Sequence, residues 1–138
     1  FIPGALSKKD IKLDAADTNE FIWPVKGRVV QYFHDTKDGE PTNGIRIQVD
    51  EGQVVKSSRG GEVVFADRLT GYGETVIIDH RDSYYSVYGE NGKLLVQLGD
   101  EISQNKDIAY AGKGKNGSYT YFEIRKNSKE ENPLYYLP

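Results

Sequence analysis

The 138 residues, 37% of them hydrophobic, suffice for one domain with a packed core and are too apolar for a disordered chain. A net charge of -3, with no stripe of lysine or arginine, argues against a sequence-independent grip on nucleic acid and against anionic membrane surfaces. With no cysteine there are no disulfides, thiolate zinc sites or thiol nucleophiles, and no apolar run approaches the ~18 residues of a membrane-spanning helix.

Residues 1–20 mix Pro3, Gly4, paired lysines and several aspartates without periodicity, which predicts a linker or loosely docked arm ahead of a domain over 21–138. The chain opens on Phe1 and holds no methionine, so the translation start is expected upstream, together with any targeting signal. From Phe21 onward apolar residues recur at period two, broken by glycine, asparagine and aspartate, and nothing repeats like a helix. The expectation is an all-β, antiparallel domain with short hairpins and little or no helix. Strands are predicted over 28–33, 44–49, 53–56, 62–67, 74–80, 84–88, 93–98, 107–111 and 119–125, with turns at Gly60-Gly61, Gly71 to Gly73 and Asn91-Gly92.

Strand parity then sorts the faces. Thr120, Phe122 and Ile124 suit a core, while Tyr119, Tyr121, Glu123 and Arg125 share the other, solvent-facing side. Ile45, Ile47 and Val49 suit the core and leave Thr42, Gly44, Arg46 and Gln48 opposite. In 84–90, Tyr84, Ser86, Tyr88 and Glu90 fall on one side. Together these faces predict a polar, tyrosine-rich groove.

The order and spacing of Trp23-Pro24-Val25, Gly44-Ile45, Gly71-Tyr72-Gly73, Val76 to His80, Tyr88-Gly89, Leu98-Gly99-Asp100, Phe122 to Arg125 and Asn132-Pro133 resemble the lysostaphin-like, or LytM-type, metallopeptidase domain. Active members of that family resemble HxGxD, YxH and HxH, with zinc held by the first histidine, the aspartate and the last histidine. Here those positions read Thr42 and Arg46, Glu90, and Tyr119 and Tyr121. The resemblance therefore implies a pseudoenzyme with no metal and no cofactor. Among degenerate members, Gly71-Tyr72-Gly73, Ser86 to Gly89 and Tyr121 to Arg125 are most similar to EnvC-like murein hydrolase activators. That likeness implies an exported, periplasmic or envelope protein that activates a peptidoglycan amidase in cell-wall remodelling or division, usually below an upstream coiled coil. Peptidoglycan itself is an alternative ligand, and an envelope adaptor an alternative role.

The partner-binding groove is expected to comprise Arg46, Tyr72, Tyr88, Glu90, Tyr119, Tyr121, Glu123 and Arg125, with Arg46 and Glu90 close enough to interact. Neither Tyr121 nor Arg125 is expected in the core, so alanine at either should leave thermal stability nearly unchanged. His34 and His80 miss the ligand positions, and His80, at a strand end, reads as a surface or turn residue. The charged stretch 126–131 reads as a solvated turn.

Overall fold

The computed structural model describes residues 17–37 and 39–138, so most of the arm expected over 1–20 lies outside the described residues. Of its remainder, Thr18 donates its amide to Gln104 Oε1 at 2.9 Å, and the Glu20 carbonyl accepts from Gln104 Nε2 at 2.8 Å. The chain is thus docked from Thr18 onward.

The fold is all-β, as the period-two pattern requires. One antiparallel sheet runs in the order β1 (Arg28–Gln31), β4 (Ile45–Val49), β11 (Ser118–Lys126), β8 (Tyr84–Leu94), β7 (Gly73–Asp79), β6 (Gly61–Leu69) and β9 (Glu101–Ile102). Off this path β10 (Asp107–Ala111) joins β8 to β5 (Val54–Lys56), and β12 (Lys129–Glu131) pairs with β11. A separate two-stranded ribbon joins β2 (Thr36–Lys37) to β3 (Glu40–Pro41), and Pro133–Tyr135 form a short 3-10 turn. One sheet face closes over Ile45, Ile47, Val55, Val63, Val76, Ile78, Ile108, Phe122 and Ile124, all 0% exposed. These are the alternate residues of their strands, which is why parity found them.

Two expectations fail for local reasons. Lys126 to Glu131 is no free turn: after Asn127 and Ser128, both at positive φ, the chain folds back and Glu130 and Glu131 pair with Arg125 and Ile124. Nor is Asn91-Gly92 a turn. The chain continues as β8, because an irregularity at Glu90 (φ 63°) bends the strand without ending it. The Glu90 amide leaves the ladder for the Tyr72 carbonyl at 2.7 Å, and beyond it β8 exchanges β7 for β10 as a neighbour.

Candidate functional site

The groove is built on the outer faces of β4, β11 and β8. Register places Tyr121 between Arg46 on one side and Gly89 on the other. Gly44 and Gly89 leave room for the Tyr121 ring: a Cβ on Gly44 would come within 2.3 Å of the Phe122 carbonyl oxygen and 3.0 Å of Tyr121 Cζ. Tyr72 arrives from the β6–β7 turn, between Gly71 and Gly73 at φ 86° and 74°, and packs edge-on to Tyr121 with ring centroids 5.4 Å apart.

Under these rings lies Glu123, whose side chain is fully buried. Its Oε2 accepts from the Tyr72 hydroxyl at 2.9 Å and from the Tyr121 hydroxyl at 2.5 Å, and its Oε1 accepts from Arg125 Nε at 2.7 Å. A carboxylate out of water is tolerable only with such partners. The proximity fixes the ionisation of its neighbours. Burial raises both tyrosine pKa values, and the Glu123 charge raises them further, so both phenols remain neutral donors. For Arg125 burial opposes the charge, but the bond to Glu123 prevails and its pKa is raised.

Glu123 is therefore not solvent-facing as parity alone suggested; it is the roofed floor of the groove. Tyr121 and Arg125 lie outside the core, as expected, but both hold the buried Glu123 carboxylate, which predicts a stability cost for removing either.

Beside this cluster Arg46 grips Glu90 with two parallel bonds, Nε to Oε2 at 3.1 Å and Nη2 to Oε1 at 2.8 Å, as expected from their positions. The guanidinium carbon lies 4.7 Å from the centroid of the Tyr119 ring, whose hydroxyl donates to the Asn116 carbonyl at 3.0 Å. Thr42, Asn43, Arg46, Tyr72, Glu90 and Tyr121 line a polar pocket of about 230 Å³. Tyr72 also borders a second, mainly apolar concavity of about 460 Å³ over Val64, Phe65, Leu69, Ile77 and Val87. This shelf was missed, although the pattern held its signal: with Val76 and Ile78 in the core, Ile77 must face out.

Tyr88 does not join the groove. It is 0% exposed on the core side, with its ring against Phe122 at 5.4 Å. The assumed parity of Tyr88 with Glu90 breaks at the irregularity, which turns Glu90 to the face opposite Tyr88.

Tyr88 belongs instead to a buried relay with His80, which is only 7% exposed and no surface residue. His80 Nδ1 lies 2.8 Å from the Gly60 carbonyl, which can only accept, so Nδ1 carries the proton. Nε2 then accepts from the Ser86 hydroxyl at 2.8 Å, Ser86 Oγ lies 2.7 Å from the Tyr88 hydroxyl, and that oxygen accepts the Ser58 amide at 2.8 Å. Burial lowers the His80 pKa to about 4, the Gly60 bond offsetting part of this and the Arg59 charge adding to it.

One antiparallel sheet with a polar groove across β4, β11 and β8 defines a LytM-type domain. The chain belongs to peptidase family M23, whose sequence profile matches residues 40–133. It is 38% identical over 118 residues to the murein hydrolase activator NlpD of Escherichia coli, covering 84% of this chain and 31% of that protein. To the murein hydrolase activator EnvC of the same organism it is 34% identical over 125 residues, covering 88% and 30%. It thus spans about a third of the length of these relatives. Among solved structures, the SpoIIQ–SpoIIIAH pore-forming complex contains a chain that superposes with a TM-score of 0.77 at 26% identity, over 86% of this chain and 90% of that one.

The donor set does not fit the zinc ion of a LytM-type peptidase. The positions that the resemblance assigns to ligands hold Thr42, Arg46 and Tyr121. A guanidinium cannot be deprotonated, and the Tyr121 hydroxyl is already committed to Glu123.

Proposed function

We propose that this chain is a noncatalytic activator of a peptidoglycan amidase, acting in the cell envelope and engaging its partner through the groove over β4, β8 and β11. The carrying observation is the bidentate Arg46–Glu90 pair. It puts a permanent cation where the resemblance puts a metal-binding aspartate, and that cation's counter-charge where it puts the middle histidine, so the groove is chemically suited to recognition rather than hydrolysis. The names of the relatives, murein hydrolase activators NlpD and EnvC, support the same reading. Tyr119, Tyr121 and Arg46 present aromatic and guanidinium groups of the kind that anchor protein interfaces.

The test mixes the chain with purified envelope amidases from the same source and follows release of dye from labelled murein. The chain alone should release none, and an amidase should become active on its addition. Arg46→Ala with Tyr119→Ala should weaken activation about tenfold or more, since both are partly exposed and neither supports Glu123. Zinc-dependent lysis by the chain alone overturns the reading, and retention on sacculi without any effect on an amidase makes it a wall-binding module.

A further inference from the structure

The shelf beside the groove ends on a strand edge with no neighbour among the described residues. β9 covers the outer edge of β6 only at Gly61 and Glu62, and Gly99 and Asp100 satisfy Val63 through bonds of 2.7 and 2.8 Å. Beyond that, Phe65 to Leu69 pair with β7 on one side and with no strand among the described residues on the other. The irregularity between Val63 and Phe65 turns Val64 outward, where it is 37% exposed. Further along, the Arg68 amide is held by the carboxylate of its neighbour Asp67 at 2.7 Å. That carboxylate stands where the carbonyl of an adjoining strand would accept.

We propose that this edge takes an extended segment of the partner as an added strand, continuing the line that β9 leaves. Its alternate apolar side chains would rest on Val64, Phe65 and Leu69 at the rim of the shelf. The inference rests on the amidase reading above and deepens it by naming the binding mode. Three features select the occupant. A bare main-chain edge is satisfied by another extended backbone and not by a helix. The free stretch of about six residues spans roughly 20 Å, the length of an ordinary strand. The nearby cations are already neutralised, Arg68 by Glu74 at 3.4 Å and Arg125 by Glu123, so the slot favours an uncharged apolar peptide over the carboxylate-rich stem peptides of murein.

Hydrogen exchange of the chain, free and with the purified amidase, tests this directly. The edge-facing amides of Ala66 and Arg68 should slow at least tenfold on binding. Arg68→Pro removes the edge donor without taking a bond from β7, and Val64→Asp charges the shelf while leaving the backbone intact. Each should weaken the amidase complex tenfold or more. Activation that persists in both variants, with β6 amides exchanging at the free rate, overturns strand addition and leaves the activator reading in place. Edge protection without activation upholds the binding mode and removes the activator reading. Protection of the same amides by purified stem peptides, with none from the amidase, overturns the choice of occupant.

Discussion

β8 and β11 carry a buried polar cluster on each face, and the two solve the same problem in opposite ways. On the core side His80, Ser86 and Tyr88 form a chain of neutral groups that ends on the carbonyl of Gly60 and the amide of Ser58. On the groove side Glu123 is a full charge, held by Arg125 and two phenols. A neutral chain loses one bond at a time when a member is removed. A buried ion holds its neighbours in place and makes each of them necessary. The groove therefore has a rigid floor even though its rim is open to solvent.

By that contrast, the largest loss comes from stranding the ion. Arg125→Ala should lower unfolding free energy by about 2 to 4 kcal/mol, somewhat below the cost of breaking a fully buried pair because the arginine side chain is 30% exposed. Adding Glu123→Gln to that variant should restore much of the loss, since it removes the uncompensated charge. Urea titrations of the three variants measure this. Equal stability of Arg125→Ala and the parent would show that the two phenols alone sustain Glu123.

The neutral relay predicts a smaller effect that depends on pH. His80 has a folded pKa of about 4, below its ordinary value of 6.5, so the unfolded chain binds a proton that the native state refuses. Its contribution is whole above about pH 6.5 and is lost as pH falls toward 4, amounting to about 2 kcal/mol by pH 5. Arg59 beside the ring opposes protonation, while Asp79 and Asp82 favour it without reversing the shift. Comparing the parent with His80→Asn between pH 7.5 and 5 isolates this histidine from the carboxylates. Parallel stability curves would mean that His80 is protonated as readily in the fold as out of it.

The two faces also differ in how far they could be read from the sequence. Strict alternation in β11 put Phe122 and Ile124 inside and Tyr121 and Arg125 outside, and this held because β11 is regular from Ser118 to Lys126. In β8 the same rule failed at one residue. Glu90 adopts a left-handed backbone that glycine or asparagine would have advertised and glutamate does not. Tyr88 was thereby assigned to the groove although it lies in the core. The depth of Glu123 escaped for another reason: parity gives a direction, whereas burial depends on Tyr72 arriving from a turn some fifty residues away. His80 was misplaced likewise, because Gly60 and Phe21 cover it from distant segments.

The Arg46–Glu90 pair is the weakest link of the groove energetically and the sharpest test of what its charges are for. Both side chains are partly exposed, at 23% and 29%, so solvent screens the attraction and the cost of ordering two long side chains offsets much of it. A double-mutant cycle with Arg46→Ala and Glu90→Ala should yield a coupling of only about 1 kcal/mol in stability. The partner should feel more. Removing Glu90 frees a guanidinium that remains stacked on Tyr119, and removing Arg46 leaves an unneutralised carboxylate at the mouth of the polar pocket, so each single variant changes the charge that the amidase meets while the double variant does not. Affinity should therefore fall in both single variants and partly recover in the double. If stability coupling is instead large and affinity indifferent, the pair braces β4 against β8 and the recognition surface lies elsewhere, toward the shelf and the edge of β6.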